Sequence, residues 1–198
     1  MRRERIVAEY LDSKLYSDKN RFVGIRRTDG LDAQMRGSDI VASIPELGVF
    51  NAIIDEKAQM YYLDGGLPTF AFELNFLTST NLRVEGWFTD ESKTTQFYML
   101  IWLTADKWFE SISGIHRIEY ALLNRRKLLD YLATQGFDRD ALRRKGRDIA
   151  ESGISGDHDK DPRRQFYFYN STQLAESPVN VIVRKTQLLQ LSDLRGFI

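Results

Sequence analysis

The chain contains no cysteine. Disulfides, thiolate metal sites and cysteine nucleophiles are therefore excluded. Histidine is almost as scarce: only His116 and His158 occur, too few for a histidine-rich metal centre. Any metal would be held by oxygen donors, which suits magnesium or manganese. Excess charge of either sign is also lacking, since the formal net charge is zero. A nucleic-acid partner must then be argued from local charge, not from the total. No apolar run approaches the eighteen or so residues of a membrane span, and the longest, Phe97 to Leu103, is strand-sized. The basic start Met1-Arg2-Arg3-Glu4-Arg5 leads into a charged amphipathic segment instead of an apolar signal core. These absences predict a soluble, cytoplasmic protein with no membrane association.

Composition is ordinary, with 42% hydrophobic and 28% charged residues, so an ordered chain is expected. Its length suits a single domain over residues 1–198. Ile6, Val7, Tyr10, Leu11 and Leu15 recur at helical spacing and predict an amphipathic first helix over 2–17. Strands are expected at 21–27, 38–44, 50–60, 69–77, 82–88 and 94–104, with Pro45, Glu46 and Gly48 marking one turn. In the fourth, Phe70, Phe72, Leu74 and Phe76 alternate with Thr69, Ala71, Glu73 and Asn75. These strands read as a mainly antiparallel meander. Helical spacing of Tyr120, Leu122, Leu123, Leu128, Leu129 and Leu132 predicts a helix over 118–132, with a more polar one at about 138–151. A Gly/Ser/Asp-rich loop at 153–162, strands at 164–169 and 179–183, and a short helix at 187–194 complete the order. The class expected is α/β, a mixed β-sheet flanked by α-helices.

The sharpest feature is a pair of carboxylates with a lysine. Asp39 stands in Gly37-Ser38-Asp39-Ile40-Val41, and Asp55 and Lys57 stand in Ile53-Ile54-Asp55-Glu56-Lys57-Ala58. A strand sends alternate residues to one face, so Asp55 and Lys57 project together while Glu56 points away. Two carboxylates can hold a divalent cation against a phosphodiester, and an ammonium beside them can stabilise the anionic transition state or act on the attacking water. The competing reading is a structural ion pair at a strand end. An acid-x-lysine triplet arises by chance about once or twice in a chain of this size, and Glu91-Ser92-Lys93, in a polar turn, is a second instance. Asp55 differs in ending the apolar run Val49 to Ile54, where charge is costly unless paired or metal-bound.

At these residues the sequence resembles the PD-(D/E)XK nuclease superfamily, which has the restriction-endonuclease-like fold. Asp39 matches the first-motif aspartate and Asp55-Glu56-Lys57 the acid-x-lysine motif, while Ser38 stands where the naming proline would be. The wider pattern over roughly 30–105 is similar to nuclease-like proteins of bacterial mobile elements and phages. It includes Gln34-Met35-Arg36-Gly37, Leu67-Pro68-Thr69-Phe70, Gly86-Trp87 and Lys93-Thr94-Thr95. The resemblance implies Asp39 and Asp55 as ligands of Mg2+ or Mn2+, Lys57 as the catalytic lysine, and DNA as substrate. Family members often add an acid from the first helix, for which Glu9 is the candidate, with a solvent-facing glutamate as the rival. Glu73 would complete the metal shell and have a catalytic role, or be a hydrogen-bonded buried glutamate. Gln59, on the Asp55 face, would orient substrate.

Two basic clusters are candidates for phosphate contact: Arg125, Arg126 and Lys127, and Arg143, Arg144, Lys145 and Arg147. Their alternative is the ordinary charged face of a surface helix. Asp157-His158-Asp159-Lys160-Asp161 lacks the turn glycine and terminal glutamate of a calcium loop and reads as solvated. Trp87, Trp102 and Trp108 read as core. The function expected is Mg2+-dependent hydrolysis of DNA phosphodiester bonds by an endonuclease, with a homodimer compatible with cutting both strands. The alternatives are an inactive nucleic-acid-binding domain of the same fold, or a scaffold.

Overall fold

The computed structural model describes residues 2–28, 30 and 36–198; Asp29, Gln34 and Met35 lie outside the described residues. Four helices and eleven strands are described, in an α/β arrangement with two sheets. Two compact units carry them. The first comprises Met1–Leu67, Thr94–Arg125 and Leu191–Ile198, the second Pro68–Lys93 and Arg126–Gln190.

In the first unit, helix α1 (Arg2–Lys14) lies against a six-stranded mixed sheet. The strands are β1 (Val23–Arg27), β2 (Ile40–Ile44), β3 (Val49–Ala58), β6 (Phe97–Ala105), β7 (Ile115–Asn124) and β11 (Leu194–Phe197), in the order β1-β2-β3-β6-β7-β11. The spacing read from the sequence makes one face of α1 apolar: Ile6, Val7, Tyr10 and Leu11 are buried, and Leu15 just past its end is too. They pack with Ile40, Ala42 and Ile44 of β2, Ala52 and Ile54 of β3, and Phe97, Met99, Ile101 and Leu103 of β6. Burying each such side chain is worth about 1.5–3 kcal/mol, which outweighs the modest propensity of a charged 13-residue helix.

The predicted turn at Pro45 is a 3₁₀ turn, Pro45–Leu47, closed by Gly48 at φ 65° with its N–H on Pro45 O at 3.0 Å. It joins β2 to β3 antiparallel, with Ile40 opposite Ile54 and Ala42 opposite Ala52. A shift in register between Ala42 and Ile44, beside Asn51 at φ 50°, absorbs one extra residue of β3. Ile40–Ile54 and Ala42–Ala52 share the buried face in plain register, and the irregularity then sets Val49, instead of the exposed Phe50, opposite buried Ile44.

The second unit holds an antiparallel sheet in the order β5-β4-β10-β9-β8. Its strands are β4 (Thr69–Leu77), β5 (Arg83–Glu85), β8 (Gly156–His158), β9 (Phe166–Asn170) and β10 (Val179–Arg184). Helices α2 (Arg125–Thr134), α3 (Arg139–Ser152) and α4 (Lys185–Leu191) complete the described set. Asp138 caps α3, accepting from Ala141 N–H at 2.7 Å, and Gly153 ends it at φ 64°. Its buried stripe, Leu142, Gly146 and Ile149, follows the helical period. Aromatic side chains dominate this core: Phe72 meets Trp87 and Phe88 at ring distances of 5.7 and 5.1 Å.

Four expectations need correction. The strands are not one meander: β4 and β5 join a separate sheet, and β3 pairs parallel with β6. Residues 115–124 are strand, not the start of a helix. Ile118, Tyr120, Ala121, Leu122 and Leu123 are all buried, and a strand covered on both faces loses its alternation and imitates a helix stripe. Within 153–162 a short strand forms, Gly156–His158, while the closing helix expected at 187–194 is found at Lys185–Leu191. Trp108 is 74% exposed, with Arg3 and Lys107 over its ring.

Candidate functional site

The site is built on the β2–β3 hairpin. Asp39 immediately precedes β2, with its N–H on Ile54 O at 3.0 Å and its C=O accepting from Thr28 N–H at 2.9 Å. The ladder thus extends one residue past Ile40 and sets Asp39 across from Asp55. Its Oδ2 also accepts from Glu56 N–H at 2.7 Å. A carboxylate anchored by a strand amide is held in place before any ligand arrives.

Asp55 and Lys57 share one face of β3, opposite the face that Ile54 presents to α1. Lys57 Nζ donates to Asp55 Oδ1 at 2.6 Å, with the lysine side chain 28% and the aspartate 5% exposed. The parallel register places Tyr98 beside Asp55 and Leu100 beside Lys57, and both neighbours are buried. Burial pushes the Asp55 carboxyl up to about 6; Lys57 opposes the shift, while the charge and hydrogen bond of Asp39 add to it. Asp39, Asp55 and Lys57 therefore form one interacting group. Tyr98 is a part of this setting that the sequence hid, since its only signal is membership of an apolar run.

Glu56 points the other way, as its strand position requires. It accepts from Tyr16 Oη at 2.8 Å and from Arg27 Nη1 at 2.9 Å, and Arg27 also grips Asp12 at 2.8 Å. Burial raises the Glu56 carboxyl even against these donors. Burial and the charge of Glu56 likewise push the Tyr16 hydroxyl well above its ordinary value. This network ties α1 to β1 and β3 and leaves the opposite face to Asp55 and Lys57.

Glu9 is not brought to the group: its side chain is 58% exposed, it pairs with Arg5 at 3.5 Å, and its helix covers the Glu56 face. Gln59 Oε1 accepts from Leu67 N–H at 2.7 Å, so this carboxamide fastens the loop after β3. A Cβ on Gly66 would stand 2.7 Å from that same oxygen and 2.4 Å from Trp102 Cδ1, so the loop packs closely there. Glu73 belongs to the second unit, half-buried on β4 opposite Asn180. Among the described residues no group of three or more His, Asp or Glu side chains is arranged to hold a metal.

Of the first basic cluster, Arg125 is 7% exposed, and its N–H bonds Gln96 O at 2.9 Å. The exposed charge there comes from Arg126 and Lys127, the former 3.7 Å from Asp130. In the second, Arg143 binds Glu85 at 2.5 Å, Asp140 at 3.3 Å and Thr89 O at 3.1 Å, while Arg144 is exposed. The acidic loop is engaged internally: Lys145 pairs with Asp159 and Arg163 with Asp161, at 2.6 and 2.8 Å.

No family model matches the chain, and neither a curated protein nor a solved structure matches it.

Proposed function

We propose that the chain is a divalent-metal-dependent nuclease that hydrolyses phosphodiester bonds in DNA, acting as an endonuclease. The observation that supports this reading is the contact of Asp39, Asp55 and Lys57 on neighbouring strands, with one carboxyl desolvated. The donor set fits a hard cation: burial and the neighbouring Asp39 make the Asp55 carboxylate costly when no cation is bound, and carboxylate oxygens are the preferred donors of Mg2+ and Mn2+. Asp39 and Asp55 would hold the ion, which supplies Lewis-acid polarisation of a phosphoryl oxygen and a water of lowered pKa.

The chain's own groups have distinct tasks. Asp39, fixed by Glu56 N–H, keeps its carboxylate oriented. Asp55 holds Lys57 within 2.6 Å and thereby positions the ammonium over the same face. That ammonium stabilises charge developing on the phosphoryl oxygens, or holds the attacking water. Tyr98 and Leu100 limit water around the pair, which strengthens both interactions. Arg126, Lys127 and Arg144 supply exposed positive charge for the DNA backbone. A cytoplasmic location suits such a substrate, and no helix among the described residues is long and apolar enough to cross a membrane.

A second reading has its own observation. Asp55 and Lys57 satisfy each other directly at 2.6 Å, as a strand-end ion pair in a non-catalytic nucleic-acid-binding domain would. Cleavage of plasmid DNA by the purified protein, with and without Mg2+ or Mn2+, separates the two. The nuclease reading expects metal-dependent nicking that Asp55→Ala and Lys57→Ala each reduce on the order of a hundredfold or more, with circular dichroism unchanged. Equal cleavage by both variants rejects the site. Salt-sensitive binding without cleavage supports the second reading.

A further inference from the structure

A cavity of about 160 Å3 in the second unit is lined by Leu74 and Asn75 of β4, Arg83 and Glu85 of β5, and Arg143 and Arg147 of α3. Three guanidiniums thus face one carboxylate, and that carboxylate is already committed. Glu85 is bound by Arg143 Nε at 2.5 Å, and Arg143 is further engaged by Asp140 and Thr89 O. Arg83 and Arg147 form no ion pair among the described residues.

Arg83 is held in place by neutral groups only. Its Nη1 donates to Asn75 Oδ1 at 2.9 Å and to Ser177 O at 2.8 Å. A guanidinium has five N–H donors, so Nε and Nη2 keep donors for a ligand. Partial burial lowers its pKa, and no acid opposes that effect. A partly desolvated cation anchored by a buried amide and engaged in no ion pair is costly in the free protein. An anionic ligand removes that cost.

Gly146 brings the second arginine to the same cavity. A Cβ there would stand 2.7 Å from Asn75 Nδ2 and 3.1 Å from Leu74 Cβ, so glycine lets α3 approach β4. Arg143 and Arg147, one helical turn apart on either side of it, consequently border the β4–β5 edge. Two planar forks reaching one space from different elements suit an anion with several oxygens.

The geometry points to a phosphate-binding subsite formed by Arg83 and Arg147, with Asn75 orienting Arg83. It is argued from the second unit alone and does not depend on the carboxylate–lysine reading. The phosphate is borne either by a small free molecule or by a nucleic-acid backbone.

Calorimetric titration of the full chain with inorganic phosphate, in chelator, tests this without any cleavage. Wild-type protein is expected to bind one phosphate. Arg83→Met and Arg147→Gln should each weaken binding about fivefold or more, while Arg163→Gln, in the exposed acidic loop, leaves it unchanged. Arg147 is exposed, so its variant tests the subsite even if Arg83→Met fails to fold. A parallel titration with a short single-stranded oligonucleotide identifies the source. Weakening by the same factor, with a salt slope reduced by about 1, assigns the phosphate to a nucleic acid. Oligonucleotide affinity untouched by the variants assigns it to a small molecule. The proposal is overturned if wild-type protein binds no phosphate, or if Arg147→Gln binds it as tightly as wild type.

Discussion

Lys57 Nζ lies 2.6 Å from Asp55 Oδ1, two residues apart on one face of β3. The lysine does not neutralise its partner's environment: the Asp55 carboxyl still has its pKa pushed up to about 6 by burial, with Asp39 adding to the shift. Two carboxyls and one ammonium leave an excess of negative charge on a poorly hydrated face. That imbalance separates the group from an ordinary surface ion pair, which is worth at most about 1 kcal/mol.

The sign of the pH dependence follows from that shift. A carboxyl whose folded pKa is raised binds its proton more tightly in the native state. Its contribution is complete below the unfolded value near 4 and is lost as pH rises through about 6. Asp55→Asn should therefore make the protein more stable than wild type above pH 6 in chelator, by on the order of 2 kcal/mol. The difference should shrink toward pH 4. Urea unfolding at a series of pH values checks it, and a wild type that gains stability relative to the variant between pH 4 and 7 contradicts the assignment.

Divalent cations should compensate the same imbalance. At neutral pH, Mg2+ or Mn2+ in large excess over its dissociation constant should raise the wild-type melting temperature, since a hundredfold excess is worth about 2.7 kcal/mol. Asp39→Asn and Asp55→Asn should abolish the rise. Differential scanning calorimetry reads this without substrate, and an equal shift in all three proteins would place cation binding elsewhere.

The opposite face of β3 should respond in stability alone. Tyr16→Phe removes the hydroxyl that donates to half-buried Glu56. Loss of a hydrogen bond to a charged group should cost about 1.5–3 kcal/mol, visible as a lower urea midpoint. Metal-induced stabilisation should persist, because Tyr16 contacts neither Asp39 nor Asp55 on the other face.

Basic residues should separate by exposure. Lys127→Gln and Arg144→Gln should weaken DNA binding uniformly across sequences and reduce the salt slope by about 1 each. Arg125→Gln, at a buried position, should lower stability instead. Fluorescence anisotropy at several salt concentrations, paired with unfolding curves, distinguishes these outcomes.

Local periodicity made part of the site readable. Asp55 and Lys57 share a face because side chains alternate along any strand, and the turn at Pro45 and Gly48 signals a hairpin that can face Asp39 toward them. Helix α1 was legible from its apolar stripe and α3 as a more polar helix at about 138–151, whereas the Asp138 cap emerged only in the structure. The α/β class followed from the order of those elements.

Tertiary contact decided the rest. The leucines of β7 imitate a helix because residues 120–123 are buried on both faces of the strand, and only the neighbours β6 and β11 fix it as strand. The parallel pairing of β3 with β6, which puts Tyr98 beside Asp55, joins segments more than forty residues apart. No nearby residue pattern encodes that register. Burial likewise separated Arg125 from its exposed neighbours, and close approach at Gly146 brought Arg147 to the cavity holding Arg83. Sequence specified which groups a strand or helix can present; desolvation and non-local packing determined which of them meet, and at what electrostatic cost.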